Sequence, residues 1–311
     1  MIPAQAAGDA ELLCGDVCLV TGGTDGIGKA IARKLAERGA ELVIVGRDSA
    51  KGEICKRELE SSTGARVTYL RGELSDRRDI DALVVKISRR WPALRFLVHS
   101  AGILAGRPTL TRDGIEMNFA VNYLSRFALT LGLLPALRRA SESSRLSGVL
   151  LVSGAASSGR VQFDDVNLTR NFSTIRAVSQ YCRANDLFTD ELARRLAGEP
   201  NPEKVIVSCL KFGPVKGTNI RHGFPWWMKL AVPLLLDPLI AQTPEQAAAA
   251  ALEILLGRAR ELPNGALFEK ITRLQRIQIA RAAEVRREAA QLWNLSERLL
   301  GSPSLNPIQL T

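Results

Sequence analysis

Short apolar segments alternate with longer amphipathic segments along most of the chain. The apolar segments are rich in Val, Leu and Ile without regular polar alternation, a pattern typical of strands buried on both faces of a sheet. Strands that alternate with helices predict βαβ units, and right-handed crossovers place the helices on both faces of a parallel sheet. The sequence therefore predicts one α/β domain over residues 1–311, with a doubly wound parallel sheet. The six predicted strands are VCLVTG, ELVIVG, RVTYLRG, RFLVHSAG, GVLLVSG and KVIVSCLKFG.

The pattern changes after the sixth predicted strand. Residues 218–241 are strongly apolar and aromatic, but Pro225, Pro233 and Pro238 interrupt them, so no membrane-spanning helix is predicted there. A substrate lid, a membrane-touching patch and an oligomer contact all fit this segment, and its position after the sixth strand favours the lid. Residues 271–300 are predicted to form a C-terminal amphipathic helix that packs on the domain.

Composition excludes several classes of protein. The formal net charge is +10, but the basic residues form no continuous run and are spread over predicted helices, so no nucleic-acid partner is expected. Five cysteines without a CxxC spacing and only two histidines predict neither a disulfide framework nor a metal site. The N-terminal residues lack the pattern of a secretory signal, so a cytoplasmic location is expected.

A glycine-rich turn joins the first predicted strand to the first predicted helix. Gly22, Gly26 and Gly28 lie in the segment VCLVTGGTDGIGKAIARKL, where glycines allow backbone N–H groups to approach a pyrophosphate at a helix N-terminus. A Rossmann-type dinucleotide site is therefore predicted. Nineteen residues after Gly28, at the position where an acidic residue would hold an unphosphorylated ribose, the chain has Arg47. A guanidinium there suits a 2′-phosphate, which favours NADP(H) over NAD(H).

The motif TGGTDGIG resembles the TGxxxGxG turn of the short-chain dehydrogenase/reductase superfamily. LVHSAG, GELSD and FAVNYLSRFALT are similar to further elements of that superfamily, and FDDVN, ANDLFTDELARRL and FGPVKGTNI resemble its retinol-dehydrogenase-like branch. The resemblance covers roughly residues 15–300. It implies a nicotinamide cofactor whose contacts, besides Gly22, Gly26, Gly28 and Arg47, come from Thr24, Asp25, Ile27, Glu73, Leu74, Ser100, Ala101, Gly102, Gly213 and Thr218.

The same resemblance implies a catalytic Ser, Tyr, Lys and Asn, and this chain departs from it. ANDLFTDEL sets the register and places Val178 at the Tyr position and Cys182 at the Lys position. VLLVSGAASSG places Gly154 at the catalytic Ser position. Of the four implied residues the chain retains Asn122. A positioned general acid contributes about 10² to 10⁴ in rate, so slow carbonyl reduction is expected.

Two neighbouring side chains are candidates to replace the lost groups. Tyr181 lies three residues after Val178 and could bring a phenol to the crevice from another angle, although packing in the helix is the favoured interpretation. Cys182 could act as a nucleophile, but no His is near it in sequence, and a buried small apolar residue is the favoured interpretation.

Three functions are compatible with these residues. The first is an atypical NADP-linked reductase that acts on a C=C or C=N bond of a lipophilic small molecule without the Tyr/Lys acid. The second is a redox-silent cyclase or isomerase on the same fold, and the third is a catalytically inactive partner subunit. The fold alone does not choose among them. A homo-oligomer, or pairing with an active relative, is left open.

Overall fold

The computed structural model describes residues 12–142, 146–155, 159–198, 205–213, 215, 242–257, 264–270, 274–277 and 283–301. These residues form an eight-stranded sheet in the order β3-β2-β1-β4-β5-β6-β7-β8, in which neighbouring strands are parallel except for the antiparallel pair β7 and β8. The strands are β1 Val17–Thr21, β2 Glu41–Gly46, β3 Val67–Arg71, β4 Phe96–His99, β5 Ser147–Gly154, β6 Val205–Phe212, β7 Ala266–Lys270 and β8 Leu274–Ile277. The prediction of a doubly wound parallel α/β sheet is confirmed.

Helices cover both faces of the sheet. They are α1 Gly26–Ala36, α2 Ser49–Thr63, α3 Arg77–Arg90, α4 Met117–Ser141, α5 Thr174–Ala197, α6 Pro244–Leu252 and α7 Ala283–Leu299. Along β1, Cys18 and Val20 belong to the core under α1, α2 and α6, whereas Leu19 belongs to the core under α3, α4, α5 and α7. Successive side chains of a strand point to opposite faces, so strands between two helical layers are apolar at nearly every position.

The predicted C-terminal helix over residues 271–300 is wrong in its first part. Leu274–Ile277 is strand β8, and the described helix is Ala283–Leu299. The apolar residues Leu274 and Ile277 fit a helical spacing in the sequence, but the backbone of this segment pairs with the open edge of β7. An unpaired strand edge offers a row of N–H and C=O groups, and pairing with it overrides a local helical preference. The predicted lid, 218–241, lies outside the described residues.

Helix α4 carries a local irregularity that positions part of the crevice. The turn Ala120–Leu124 is π-helical, between the α-helical parts Met117–Phe119 and Ser125–Ser141. Single π turns within a helix displace one carbonyl from the regular ladder and occur often at functional sites. Among the described residues, Met117–Ser141 is also the one helix that is long and apolar enough to span a membrane, but 78% of its most apolar window is buried inside the domain. A core helix of a soluble protein meets the same criteria.

Candidate functional site

The glycine turn lies at the carboxyl end of β1, beside the end of β4. Gly22 has a φ of 67°, and a Cβ there would lie 2.7 Å from the backbone N and Cα of Ala101. A Cβ on Gly28 would lie 2.2 Å from the carbonyl oxygen of Gly22. Asp25 caps α1 by accepting a hydrogen bond of 2.8 Å from the N–H of Gly26. Backbone packed this closely, at the open N-terminus of α1, forms a cradle that fits a dinucleotide pyrophosphate.

Three cations surround this turn on its β2 side. Arg47 is exposed directly after β2, and Thr24 lies against the preceding Gly46, where a Cβ would meet the Thr24 side chain at 2.9 Å.

Lys51 pairs with Asp25, and Lys29 pairs with Glu58. Although burial opposes it, the hydrogen bonds from Lys51 and Gly26 hold the pKa of Asp25 below its usual value. The arrangement places positive charge beside the glycine turn.

The remaining predicted cofactor residues lie at the same edge of the sheet. Glu73 follows β3, and its carboxylate accepts hydrogen bonds of 3.1 and 2.9 Å from the N–H and the hydroxyl of Ser75. Leu74 comes after β3 and is only 8% exposed, and Ile27 lies in the first turn of α1. The residues that follow β4 complete this edge: Ser100, Ala101 and Gly102.

Gly213 follows β6 and donates a hydrogen bond to the carbonyl of Lys270. Thr218, the last predicted cofactor residue, lies outside the described residues.

Asn122 occupies the π turn and holds the loop after β4. Its side-chain Oδ1 accepts from the N–H of Ile103 at 2.8 Å, and its Nδ2 donates to the carbonyl of Ile103 at 2.9 Å. Its own backbone carbonyl accepts a hydrogen bond of 3.0 Å from Asn185. The side-chain amide is thus used to position backbone, and a direct catalytic role for Asn122 stays a prediction.

Two of the positions at which the family resemblance implies catalytic residues, Gly154 and Cys182, meet at the carboxyl end of β5. A Cβ on Gly154, the last residue of that strand, would lie 3.3 Å from the Sγ of Cys182. Ser153 donates a hydrogen bond of 3.7 Å to the same sulfur, and Val178 lies one helical turn earlier on α5. Burial raises the pKa of the Cys182 thiol. A protonated, fully buried thiol is a poor nucleophile, which supports the interpretation of Cys182 as a small apolar residue.

Tyr181 belongs to the core rather than to the surface of the crevice. Its side chain is 5% exposed, and it packs among the apolar residues that lie between the sheet and helices α4 and α5. Burial raises the pKa of its phenol, since the ionised form would lose its hydration. Packing, the interpretation favoured from the sequence, agrees with this burial, whereas a catalytic role for Tyr181 stays a prediction.

Sequence reasoning missed a set of buried charges near these positions. Arg126 on α4 is 4% exposed, and its guanidinium donates to the carbonyl of Val152 at 2.8 Å and to that of Ala101 at 3.0 Å. Lys211 on β6 and Asp186 on α5 form a buried ion pair of 2.6 Å. A Lys within the apolar segment VIVSCLKFG is the signal that could have indicated such a pair, because lysines are almost never fully buried without a partner.

Comparisons with known proteins agree with the geometry of the cradle. The short chain dehydrogenase family model matches residues 16–164. Retinol dehydrogenase 11 of Homo sapiens is 33% identical over 299 residues, which cover 94% of this chain and 87% of that protein. Retinol dehydrogenase 14 of Mus musculus is 30% identical over 315 residues, which cover 96% of this chain and 89% of that protein.

Solved structures with the same fold extend the comparison. An uncharacterized protein from Mycobacterium paratuberculosis has a TM-score of 0.72 and 29% identity, with 94% of this chain and 96% of that chain covered. A short chain dehydrogenase from Shigella flexneri, solved in complex with NADP, has a TM-score of 0.64 and 21% identity, with 84% and 99% covered. At that identity the second likeness concerns the fold alone.

Proposed function

We propose that this chain, which belongs to the short-chain dehydrogenase/reductase superfamily and to its retinol-dehydrogenase-like branch, is an oxidoreductase that binds NADP(H) and acts on a lipophilic small molecule without a Tyr/Lys acid. The observation that carries the proposal is the contrast within one crevice. The backbone cradle of Gly22 and Gly28 is closely packed and intact, whereas Gly154, Val178 and Cys182 present no ionisable group other than a buried thiol.

The choice of NADP(H) rests on charge at the end of β2. Arg47 is exposed there, and Lys51 lies within reach of the same turn through its ion pair with Asp25. A 2′-phosphate would give Lys51 an anionic partner besides Asp25, and Arg47 would bind it with two parallel hydrogen bonds. An unphosphorylated ribose would gain nothing from Arg47. The resident cofactor would supply hydride, and the side chains of this chain would orient and hold it.

The class of substrate follows from the missing proton donor. The Cys182 thiol and the Tyr181 phenol are both buried, and burial raises the pKa of each, so both are weaker acids than usual and neither is exposed to a substrate. An iminium ion is already charged, and a conjugated enone can take its proton from water. Both therefore depend less on a general acid than a ketone or aldehyde does. The lipophilic character is supported by the resemblance to retinol dehydrogenases, whose named substrate is itself lipophilic.

The proposal is tested first by binding and then by turnover. We expect NADPH to bind more tightly than NADH in a fluorescence titration, and Arg47→Ser to reduce that preference about tenfold. Lys56→Ser is a matched control, because Lys56 lies on α2 and pairs with Glu60 instead of facing the turn. Equal affinity of the wild-type protein for the two cofactors would contradict the assignment of Arg47 as the residue that favours NADP(H).

For turnover, consumption of NADPH is compared among a lipophilic enone, a lipophilic iminium ion and a saturated lipophilic aldehyde. We expect the enone or the iminium ion to be reduced faster than the saturated aldehyde. NADPH that binds but is never consumed would contradict the proposal and favour a redox-silent catalyst on the same fold. A protein that binds neither cofactor would contradict it in favour of an inactive partner subunit.

A further inference from the structure

A compact polar cluster lies behind the reaction centre, and it contains a cation. Cys182 and Asp186 are four residues apart on α5, so their side chains share one face of the helix. Ser153 and Lys211 are direct neighbours on the paired strands β5 and β6. The hydroxyl of Ser153 donates to the sulfur of Cys182 at 3.7 Å, and the ammonium of Lys211 lies 2.6 Å from a carboxylate oxygen of Asp186.

The ion pair is costly at this place. Lys211 is fully buried and Asp186 is 2% exposed, and the second carboxylate oxygen of Asp186 has no hydrogen-bond partner among the described residues. Removing two charges from water is costly, and well-packed apolar residues in place of a buried ion pair are often equally stable. Stability of the fold alone therefore does not explain why the chain keeps a Lys and an Asp here.

The positive charge of Lys211 acts on Cys182, the position where the family resemblance implies a lysine. Burial raises the pKa of the Cys182 thiol, and the positive charge of Lys211 acts on the same thiol in the opposite direction. Among the described residues, Arg126 is a second buried cation near this cluster, and its guanidinium donates to the carbonyls of Val152 and Ala101. In the part of the chain that the structure describes, Lys211 thus supplies the ammonium next to the Ser153 and Cys182 side chains.

We propose that Lys211 is the resident cation of the reaction centre: held by Asp186 beside Cys182, it carries the positive charge that a Lys at position 182 would otherwise supply. Lys211 acts as a positioning residue, because it is fully buried and works through Ser153 and Cys182. The inference rests on the proposed oxidoreductase function, which it deepens. The centre is rearranged: its cation comes from strand β6 and not from helix α5.

One consequence is that the cluster has room for one ammonium only. A Lys introduced at position 182 would face Asp186 one helical turn away and compete with Lys211 for the same carboxylate. We expect Cys182→Lys to lower the midpoint of thermal unfolding by roughly 5 to 10 °C, since it adds an unpaired buried charge. Adding Lys211→Met should recover at least half of that loss, because the new ammonium can then pair with Asp186.

Cys182→Met is the matched control for this cycle, because it introduces a long side chain without charge. Greater instability of Cys182→Lys than of Cys182→Met, relieved by Lys211→Met, supports the proposal. A double variant at least as unstable as the sum of the two single changes overturns it. So does a pair of variants, Cys182→Lys with and without Lys211→Met, that both fail to fold while Cys182→Met folds. This readout needs no cofactor and no substrate.

The second test measures catalysis. Gly154→Ser, Val178→Tyr and Cys182→Lys together restore the residues that the family resemblance implies. We expect this triple variant to gain NADPH-dependent reduction of a general ketone only when Lys211→Met is also present, with a kcat at least tenfold above that of the triple variant alone. Equal kcat values with and without Lys211 would overturn the proposal. NADPH affinity is measured on every variant, so a failure to bind cofactor would contradict the proposed function while the thermal cycle still decides the role of Lys211.

Discussion

The candidate site, at the carboxyl ends of the parallel strands, forms a crevice with two ends that differ in the kind of contact that builds them. At the cofactor end, between β1, α1 and β4, backbone packs on backbone, as in the approach of Gly22 to Ala101 and of Gly28 to Gly22. At the reaction end, between β5, β6 and α5, the decisive contacts are made by side chains: Ser153 with Cys182, and Lys211 with Asp186. A side chain at the reaction end can be exchanged for another of suitable size without moving the backbone. The chemistry of a fold can therefore change while its cofactor cradle is kept.

Gly28→Ala is the change expected to have the largest effect, and it tests the rigidity of the cofactor end. A Cβ there would lie 2.2 Å from the carbonyl oxygen of Gly22. The backbone at Gly22 cannot move aside as the end of a flexible side chain can. We expect the affinity for NADPH, measured by fluorescence titration, to fall by more than about 100-fold, or roughly 3 kcal/mol. Gly198→Ala is the control, since a Cβ there meets its nearest neighbour at 3.5 Å. An unchanged affinity in Gly28→Ala would remove the distinction between the two ends.

Arg126→Met tests the buried link between the two ends. The guanidinium joins the carbonyl of Ala101, on the cofactor side, to that of Val152, on the reaction side. Removing it leaves two carbonyls without these donors, which should lower the free energy of unfolding by about 2 to 4 kcal/mol. Urea denaturation measures this loss. Arg139→Met on the same helix is the control: Arg139 is exposed, its hydrogen bond goes to Pro92, and a change within about 0.5 kcal/mol is expected. Equal losses in the two variants would contradict the linking role of Arg126.

The same contrast explains what the sequence could predict. Apolar periodicity and the glycine turn identify β1 to β6 and the cradle, because buried strands and close backbone approach restrict the residue types at each position. The departures from the family pattern that we infer at Gly154, Val178 and Cys182 are visible only through resemblance to that pattern. Their consequence depends on Lys211, which is distant in sequence and adjacent through the pairing of β5 and β6. Strands β7 and β8 were both missed, and β8 was missed for a related reason, since it pairs with the edge of β7, which its own sequence does not reveal.

His99 offers a test that depends on pH. It lies at the end of β4, is 1% exposed and shares a hydrogen bond of 2.8 Å with Thr130. Burial, with a smaller contribution from the positive charge of Arg126, lowers the pKa of its imidazole well below the ordinary value. The unfolded chain then binds a proton near pH 6.5 that the folded chain does not, so stability falls as the pH drops below that value. The loss should be about 1 kcal/mol at pH 5.5.

Urea denaturation at pH 7.5 and pH 5.5 measures this effect of His99. His99→Gln keeps a hydrogen-bonding side chain but cannot titrate, so the difference between the two pH values should shrink by about 1 kcal/mol relative to the wild type. A difference that is the same in both proteins would show that the imidazole is accessible to protons in the folded state. The interior at the end of β4, on the cofactor side, would then be less closed to protons than its burial indicates.

Tyr181→Phe is expected to have the smallest effect, and it decides whether the reaction end retains a phenol of its own. The ring packs in the core with 5% of its surface exposed, and burial holds its pKa above the ordinary value. A side chain that only packs should tolerate loss of its hydroxyl, with a change in the free energy of unfolding within about 1 kcal/mol and no change in kcat or in its pH profile. Tyr69→Phe on β3 is the control, since its hydroxyl donates to the carbonyl of Gly46 far from the reaction end. A fall in kcat in Tyr181→Phe but not in the control would show that the phenol acts as a proton donor in place of the acid that is missing at position 178. The reaction end would then keep an acid of its own, and the contrast between the two ends would be smaller.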